Sequence, residues 1–181
     1  LAPDITIFCA PPEKGWEKPE TPYACLVPNL NMIQRAGWGD LHLQQLSSAA
    51  RHLTGKGIAV YVVPHSTRDQ ELVKDLIERC DSPFVRAFIH EDARVLKGFI
   101  GGARLLVGAR FHSIVAALSQ QVPVLAMSWA HKYEELMQDF GVLEFMLNKG
   151  DSEANLSAKI DWLLDPENAS TLRQKLSAAK R

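Results

Sequence analysis

The sequence predicts a doubly wound α/β domain built on a parallel sheet. Three observations predict it: nearly continuous apolar runs of strand length, amphipathic stretches long enough for helical crossovers, and alternation of the two from residue 23 onward. A strand buried on both faces reads as an unbroken apolar run, whereas a half-exposed antiparallel strand alternates polar and apolar residues. Right-handed crossovers between such strands place helices on both faces of the sheet.

Residues 1–22 hold Pro3, Pro11, Pro12, Pro19 and Pro22, five of the ten prolines, interleaved with Glu and Lys. Such a stretch cannot sustain a helix and is expected to be an extended linker or packed arm, with one short strand over 5–10. The Rossmann-like domain is expected over 23–150. Its elements are strand 23–28, helix 40–54, strand 58–63, helix 67–80, strand 84–89, helix 93–101, strand 104–108, helix 112–121, strand 124–128, helix 133–140 and a short strand 144–147. Thr67 and Gln70 stand in capping-box spacing, and Gly55, Gly57 and Gly141 fall where helices should stop. The tail, 151–181, is a helical region broken at Asp165 and Pro166.

Composition bounds the function. The chain has 181 residues, 46% hydrophobic and 23% charged, which fits one domain able to bury roughly 70% of its unfolded surface and argues against disorder. With 20 Lys plus Arg against 21 Asp plus Glu the net charge is −1, so there is no general electrostatic case for nucleic acid or an anionic membrane. An anion site must therefore be local. Cys9, Cys25 and Cys80 form neither a CxxC pair nor a metal knuckle, which points to a reducing compartment, the cytoplasm, and to no metal site. The longest apolar runs, 58–64 and 122–127, fall far short of the ~20 residues of a membrane helix, and no charged-then-apolar leader opens the chain.

Several motifs are missing. After the first strand stand Arg35, Gly37, Gly39 and Asp40, which do not make a GxGxxG, and there is no P-loop, HExxH, GxSxG or EF-hand loop. The Asn-x-Ser matches at Asn155 and Asn168 lie in the helical tail and carry little weight.

In an open parallel sheet, ligands sit beyond the carboxyl ends of the strands, where loops meet helix N-termini. Three strands deliver polar groups to that edge: His65 and Ser66 after 58–63, Arg110, His112 and Ser113 after 104–108, and Ser128, His131 and Lys132 after 124–128. Four of the six histidines, His65, His90, His112 and His131, fall at or near strand ends. Arg110 offers a fixed fork of donors for a carboxylate or phosphate, and Lys132 a compact charge that can follow a phosphate oxygen. His112 opens a helix whose positive end disfavours the imidazolium, which suits proton transfer near neutral pH. Each of these has a structural alternative. Arg110 would make a surface ion pair, His65, His112 and His131 would be satisfied polar residues, Lys132 would be solvated, and Ser66, Ser113 and Ser128 would cap helices. Trp38, between two glycines, is either a sugar-stacking platform or ordinary packing, while Trp16 and Trp162 read as anchors for arm and tail.

The stretch 104–132 contains Gly108, Arg110 and His112 in one turn, a helix of small residues, Val122 and Pro123 before a strand, and Lys132 twenty residues after His112. This stretch resembles the signature of the polysaccharide pyruvyl transferase family, and Tyr133 to Gly141 resembles the helix that follows it. The resemblance covers about 23–150. It implies the C-terminal, Rossmann-like half of a glycosyltransferase-B architecture, with a preceding half-domain as partner. The non-Met start at Leu1 and the proline-rich opening fit a piece of something longer. The implied activity is transfer of pyruvyl from phosphoenolpyruvate to a glycan or lipid-linked sugar, forming a ketal and releasing phosphate, without cofactor or metal, at the inner face of the membrane. By the same resemblance His112 would assist proton transfer, and Arg110 and Lys132 would anchor the donor. Ser66, Ser113, Ser128, His65 and His131 would complete the binding edge.

Where many relatives place an Arg after the first strand, this sequence has Asn29 and Asn31. These can hydrogen-bond a ligand but cannot neutralise it, so Arg35 or another group must substitute, or the donor differs. Two other readings stay open. A nucleotide-sugar glycosyltransferase half would need a gripping carboxylate, for which Glu134 or Glu135 is the near candidate. A non-catalytic binding or assembly module would need none of these roles.

Overall fold

The structure, a computed structural model, describes residues 5–12, 15–128 and 130–179, for Ile5 the backbone alone. Six parallel strands form one sheet in the order β3-β2-β1-β4-β5-β6: β1 Tyr23–Val27, β2 Ala59–Val62, β3 Val85–Ala87, β4 Leu105–Gly108, β5 Val124–Met127 and β6 Met146–Leu147. The helices are α1 Leu30–Gln34, α2 Leu41–Gly55, α3 Gln70–Cys80, α4 Ala93–Gly101, α5 Phe111–Leu118, α6 His131–Asp139, α7 Glu153–Leu164 and α8 Pro166–Ala179. The α/β alternation expected from the apolar runs is the one observed.

Every residue of β1, β4 and β5 is buried, because each strand has neighbours on both edges and helices over both faces. One group of helices packs α2 against α3 and α7; another packs α4 against α5. The strand order reverses between β1 and β4, so the loops leaving these two strands diverge and leave a crevice at their carboxyl ends. Gly108 ends β4 directly beside Val27. A Cβ there would stand 3.0 Å from Val27 Cβ and 3.2 Å from Leu106 Cδ2, so a side chain at 108 would push the two switch-point strands apart.

Four expectations need correction. The strand expected over 5–10 is a 3-10 turn, Ile5–Phe8, whose Ile7 is buried in the core. The buried ammonium of Lys97 holds this turn by donating to the carbonyls of Thr6 at 2.6 Å and Ile7 at 3.4 Å. The arm therefore packs on α4, and Trp16 lies across Gly98, where a Cβ would come within 2.2 Å of its ring. The parts of the arm at 1–4, 13 and 14, and of the tail at 180–181, lie outside the described residues.

Second, Thr67 caps nothing: Ser66 accepts from the Arg68 amide, a 3-10 turn follows over Thr67–Asp69, and α3 starts at Gln70. Third, the strand expected over 84–89 shrinks to three residues, with Phe84 and Ile89 exposed at its ends, because it is an edge strand paired only to β2. Fourth, the short helix α1 occupies part of the stretch between strand 23–28 and helix 40–54, to which the sequence assigns no element, with Asn29 as its cap.

The tail packs as two helices divided at Asp165 and Pro166. Asp161 of α7 receives His52 Nε2 at 2.6 Å and Lys56 Nζ at 2.9 Å, fastening the tail to α2, and Trp162 rests on Phe145 with ring centres 4.9 Å apart. Among the described residues no helix is long and apolar enough to cross a membrane.

The close approach of β4 to β1 gives a stability prediction. Gly108→Ala should cost about 1–3 kcal/mol by overpacking, read as a lower urea midpoint with an unchanged slope.

Candidate functional site

The crevice at the ends of β1 and β4 is a cleft of about 570 Å³. Its walls carry His65 from the loop after β2, Asn31 from α1, Arg110, Phe111 and His112 from the start of α5, and Lys132 and Tyr133 from α6. The arm and α4 close the far side with Thr6, Cys9, Arg94 and Lys97. Of the residues singled out in the sequence, His65, Arg110, His112, Lys132 and Asn31 thus come together around one opening.

The turn that presents Arg110 is held from three directions. Arg110 donates through Nε to Asp69 Oδ2 at 2.8 Å and through Nη2 to Asp69 Oδ1 at 2.6 Å, a side-on pair with a carboxylate sealed from solvent. The same Asp69 oxygen accepts from the Leu30 amide at 3.1 Å. Next to Arg110, the carbonyl of Ala109 accepts from Asn29 Nδ2 at 2.6 Å and from the Tyr133 hydroxyl at 3.0 Å. Asn29 also accepts from the Asn31 amide and donates its own amide to His42 Nε2 at 3.1 Å. Asn29 thus joins β1, α1 and β4, and it also borders the cleft. Arg35 is exposed at the end of α1 and does not line the cleft.

The described lining of the cleft carries one sign of charge. Arg94, Lys97, Arg110 and Lys132 line it, and among the described residues no carboxylate does. Asp69 lies behind Arg110 and Asp92 pairs with Arg94 at 3.0 Å, so both carboxylates fix the direction of a cation from outside the opening. The Lys132 ammonium stands 4.4 Å from the centre of the Phe111 ring, which supports it without neutralising it. Phe111 in turn meets Tyr133 edge-on at 5.5 Å. The start of α5, with its helix dipole, opens on the same space and adds to its preference for an anion.

Two imidazoles are kept neutral. Burial pushes His65 down from 6.5 to about 4, helped by the Arg110 and His112 charges, and burial pushes His42 to about 3. Nε2 of His65 is enclosed at the cleft wall, without a hydrogen-bond partner among the described residues.

The remaining residues go elsewhere. Ser66 caps the Thr67–Asp69 turn, and buried Ser113 donates to the Arg110 carbonyl at 2.6 Å. Ser128 and His131 line a second cleft, at the carboxyl ends of β5 and β6, where His131 Nδ1 meets Glu134 at 3.1 Å. His90 accepts from the Asp92 amide and lines neither cleft. Trp38 is only 7% exposed and meets His42 edge-on, so it packs under its loop, at the border of the second cleft. Sequence reasoning missed Asp69, Lys97 and the arm residues Thr6 and Cys9. The available signal for Asp69 was a carboxylate three residues past Ser66 at a strand end, read there as part of an ordinary helix start.

A sequence profile of the family described as polysaccharide pyruvyl transferase matches residues 1–131. No curated protein matches the sequence. Among solved structures, a mutant O-GlcNAc transferase of Thermobaculum terrenum superposes with a TM-score of 0.65 at 16% identity, over 96% of this chain and 35% of that one. The C-terminal CMP-Kdo binding domain of WaaA from Acinetobacter baumannii gives 0.61 at 13% identity, over 88% of this chain and 90% of that domain. UDP-GlcNAc 2-epimerase of Methanocaldococcus jannaschii gives 0.59 at 12% identity, over 81% and 39%. At such identities the likeness is one of fold: a Rossmann-like half of the glycosyltransferase-B architecture. The chain spans about a third of the length of the Thermobaculum protein.

Two predictions follow from the buried groups. Asp69→Ala should cost about 3–5 kcal/mol in urea denaturation, because it strands the Arg110 guanidinium and the Leu30 amide. The unfolded chain protonates His65 and His42 near 6.5 while the folded chain does so only near 4 and 3. Stability is therefore present above 6.5 and is lost as the pH falls from 6.5 toward 4. Denaturation across that range should show the loss, and His65→Gln should flatten part of it.

Proposed function

The chain belongs to the polysaccharide pyruvyl transferase family, and from the charge and shape of the switch-point cleft we propose that it holds phosphoenolpyruvate there for transfer of the pyruvyl unit to a sugar. The observation that carries this reading is a cleft with four cations and, among its described lining residues, no carboxylate. A volume of about 570 Å³ suits a small molecule and leaves room beside a three-carbon donor for a reacting hydroxyl.

Phosphoenolpyruvate carries two anionic groups, and the cleft offers two kinds of cation. Arg110 uses Nε and one side of Nη2 on Asp69, leaving the rest of a fixed guanidinium for the donor carboxylate. Lys132, on a flexible stem at the start of α6, follows the phosphate. Neutral His65 hydrogen-bonds the donor through Nε2, and Asn31 borders the opening.

The reaction then balances as follows. Protonated His112 gives its proton to the methylene carbon, and a sugar hydroxyl adds to the adjacent carbon and returns its proton to His112. A second hydroxyl of the same sugar displaces phosphate, and its proton leaves with the phosphate. The product is a cyclic ketal. In this scheme the proton and charge come from His112, Arg110 and Lys132, without a cofactor, and a second α/β half would supply the opposite wall. A nucleotide sugar in this cleft is disfavoured, since Glu134 lines the other cleft and Glu135 faces His131.

Calorimetric titration with phosphoenolpyruvate and with nucleotide sugars tests the reading. Phosphoenolpyruvate should bind saturably, with about tenfold or greater weakening in Lys132→Ala. His112→Ala should retain binding yet lower turnover of the active enzyme by about 10²–10⁴-fold. Binding of nucleotide sugars alone, or unchanged turnover in both variants, would overturn it.

A further inference from the structure

We infer that Cys9 is a modification site, whose thiol takes small anionic disulfides into mixed-disulfide linkage at the rim of the cationic cleft and so shuts that cleft to its ligand. The reactivity stands on the cleft alone, whereas its use as a control of turnover rests on the donor reading above.

The Cys9 thiol is exposed and borders the cleft. The turn before it is held in place. The Cys9 amide donates to the Thr6 carbonyl at 3.2 Å, and the same carbonyl accepts from the Lys97 ammonium at 2.6 Å. Arg94, on the same wall, is pushed above its ordinary range by its hydrogen bonds and charge pairing with Asp92 and, last, by the charge of a Cys9 thiolate, which makes the two side chains electrostatic neighbours. Cys25 and Cys80, by contrast, are buried, and burial pushes both thiols up, so neither meets a reagent in the folded chain.

Selectivity comes from the charge of the incoming reagent. Arg94, Lys97, Arg110 and Lys132 line the opening that Cys9 borders, with no carboxylate among its described lining residues. A negatively charged disulfide is concentrated there and a positively charged one is excluded, an effect that salt screens. A second feature, independent of the thiol, marks the opening as one that holds a polar ligand: Nε2 of His65 is enclosed at the wall without a hydrogen-bond partner among the described residues. The carboxylates and amides of a small peptide thiol are groups of the kind that such an atom pairs with.

In the exchange the Cys9 thiolate attacks one sulfur of the disulfide. A bond forms between that sulfur and Cys9 Sγ, the original S–S bond breaks, and the other half leaves as a thiolate with the electron pair. The protein thiol is oxidised and the departing half is reduced, so no further reagent is needed. A cleft of about 570 Å³ has room for the retained half, whose carboxylates then occupy the cations. A thiol reductant reverses the linkage.

Mass spectrometry of the 181-residue chain at low ionic strength tests this, with oxidised glutathione, hydroxyethyl disulfide and cystamine as the anionic, neutral and cationic probes. Each rate is divided by that of the same probe on the urea-unfolded chain, which removes differences in intrinsic reactivity. Oxidised glutathione should add a single glutathionyl group, at Cys9, and none in Cys9→Ser. Cystamine should be slower by about tenfold or more, with the gap closing in high salt. Arg94→Gln should slow oxidised glutathione about threefold and leave hydroxyethyl disulfide unchanged. Saturating inorganic phosphate should slow the reaction, and calorimetry should show phosphate binding weakened about tenfold or more in the modified chain and restored by dithiothreitol. Cystamine as fast as oxidised glutathione, addition at Cys25 or Cys80 of the folded chain, or an unchanged phosphate affinity after modification would each overturn the assignment. Failure of phosphoenolpyruvate to slow a reaction that phosphate slows would instead sink the donor reading and leave the thiol site standing.

Discussion

A carboxylate wholly removed from water needs a partner, and the fold is arranged so that Asp69 has one. Its two oxygens are met by the Arg110 fork and by the Leu30 amide, groups that enter from the loops after β4 and β1. Removing such an ion pair from water costs much of what the contact returns, so its net stabilisation is small; its effect lies in geometry. Three loops from three strands are locked in one relative position at the place where the sheet changes direction. The Ala109 carbonyl repeats the device one residue away, taking Asn29 and Tyr133 together.

This lock decides where charge can point. Because Asp69 grips Arg110 from behind, the guanidinium is held at a set angle instead of sweeping the opening, and its unpaired face is turned into the cleft. Arg94 is steadied in the same way by Asp92, and Lys97 is turned toward the carbonyls of the arm. Lys132 stands over the Phe111 ring, a support that does not neutralise its charge. A chain that is nearly neutral overall thus gathers cations at this rim, with Asp69 and Asp92 outside its described lining.

Much of this was legible in the sequence, for identifiable physical reasons. Central strands such as 105–108 and 124–127 are buried on both faces, so their apolar runs are unbroken and hard to mistake. The placement of Arg110, His112 and Lys132 at one edge follows from parallel strands, whose carboxyl ends all face the same way. The role of Asp69 was not legible, because its partner lies 41 residues away and an acidic residue at a helix start is ordinary. The edge strand was overread because Phe84 and Ile89 are apolar yet exposed, and apolarity marks burial only where a neighbour exists to provide it. The turn at Ile5–Phe8 depends on Lys97, more than ninety positions along for Thr6, and no local pattern encodes such a contact.

Gly98 carries a consequence for how this site can diversify. A glycine inside α4 weakens that helix by about 1 kcal/mol relative to alanine, and the space it leaves is filled by Trp16. The indole pins the arm to α4 on one side, as Lys97 does through the Thr6 and Ile7 carbonyls on the other, and Thr6 and Cys9 border the cleft. Insertions or deletions between Cys9 and Trp16 would reposition that wall while leaving Arg110, His112 and Lys132 untouched. Selectivity for ligand bulk can in this way change independently of the reacting groups.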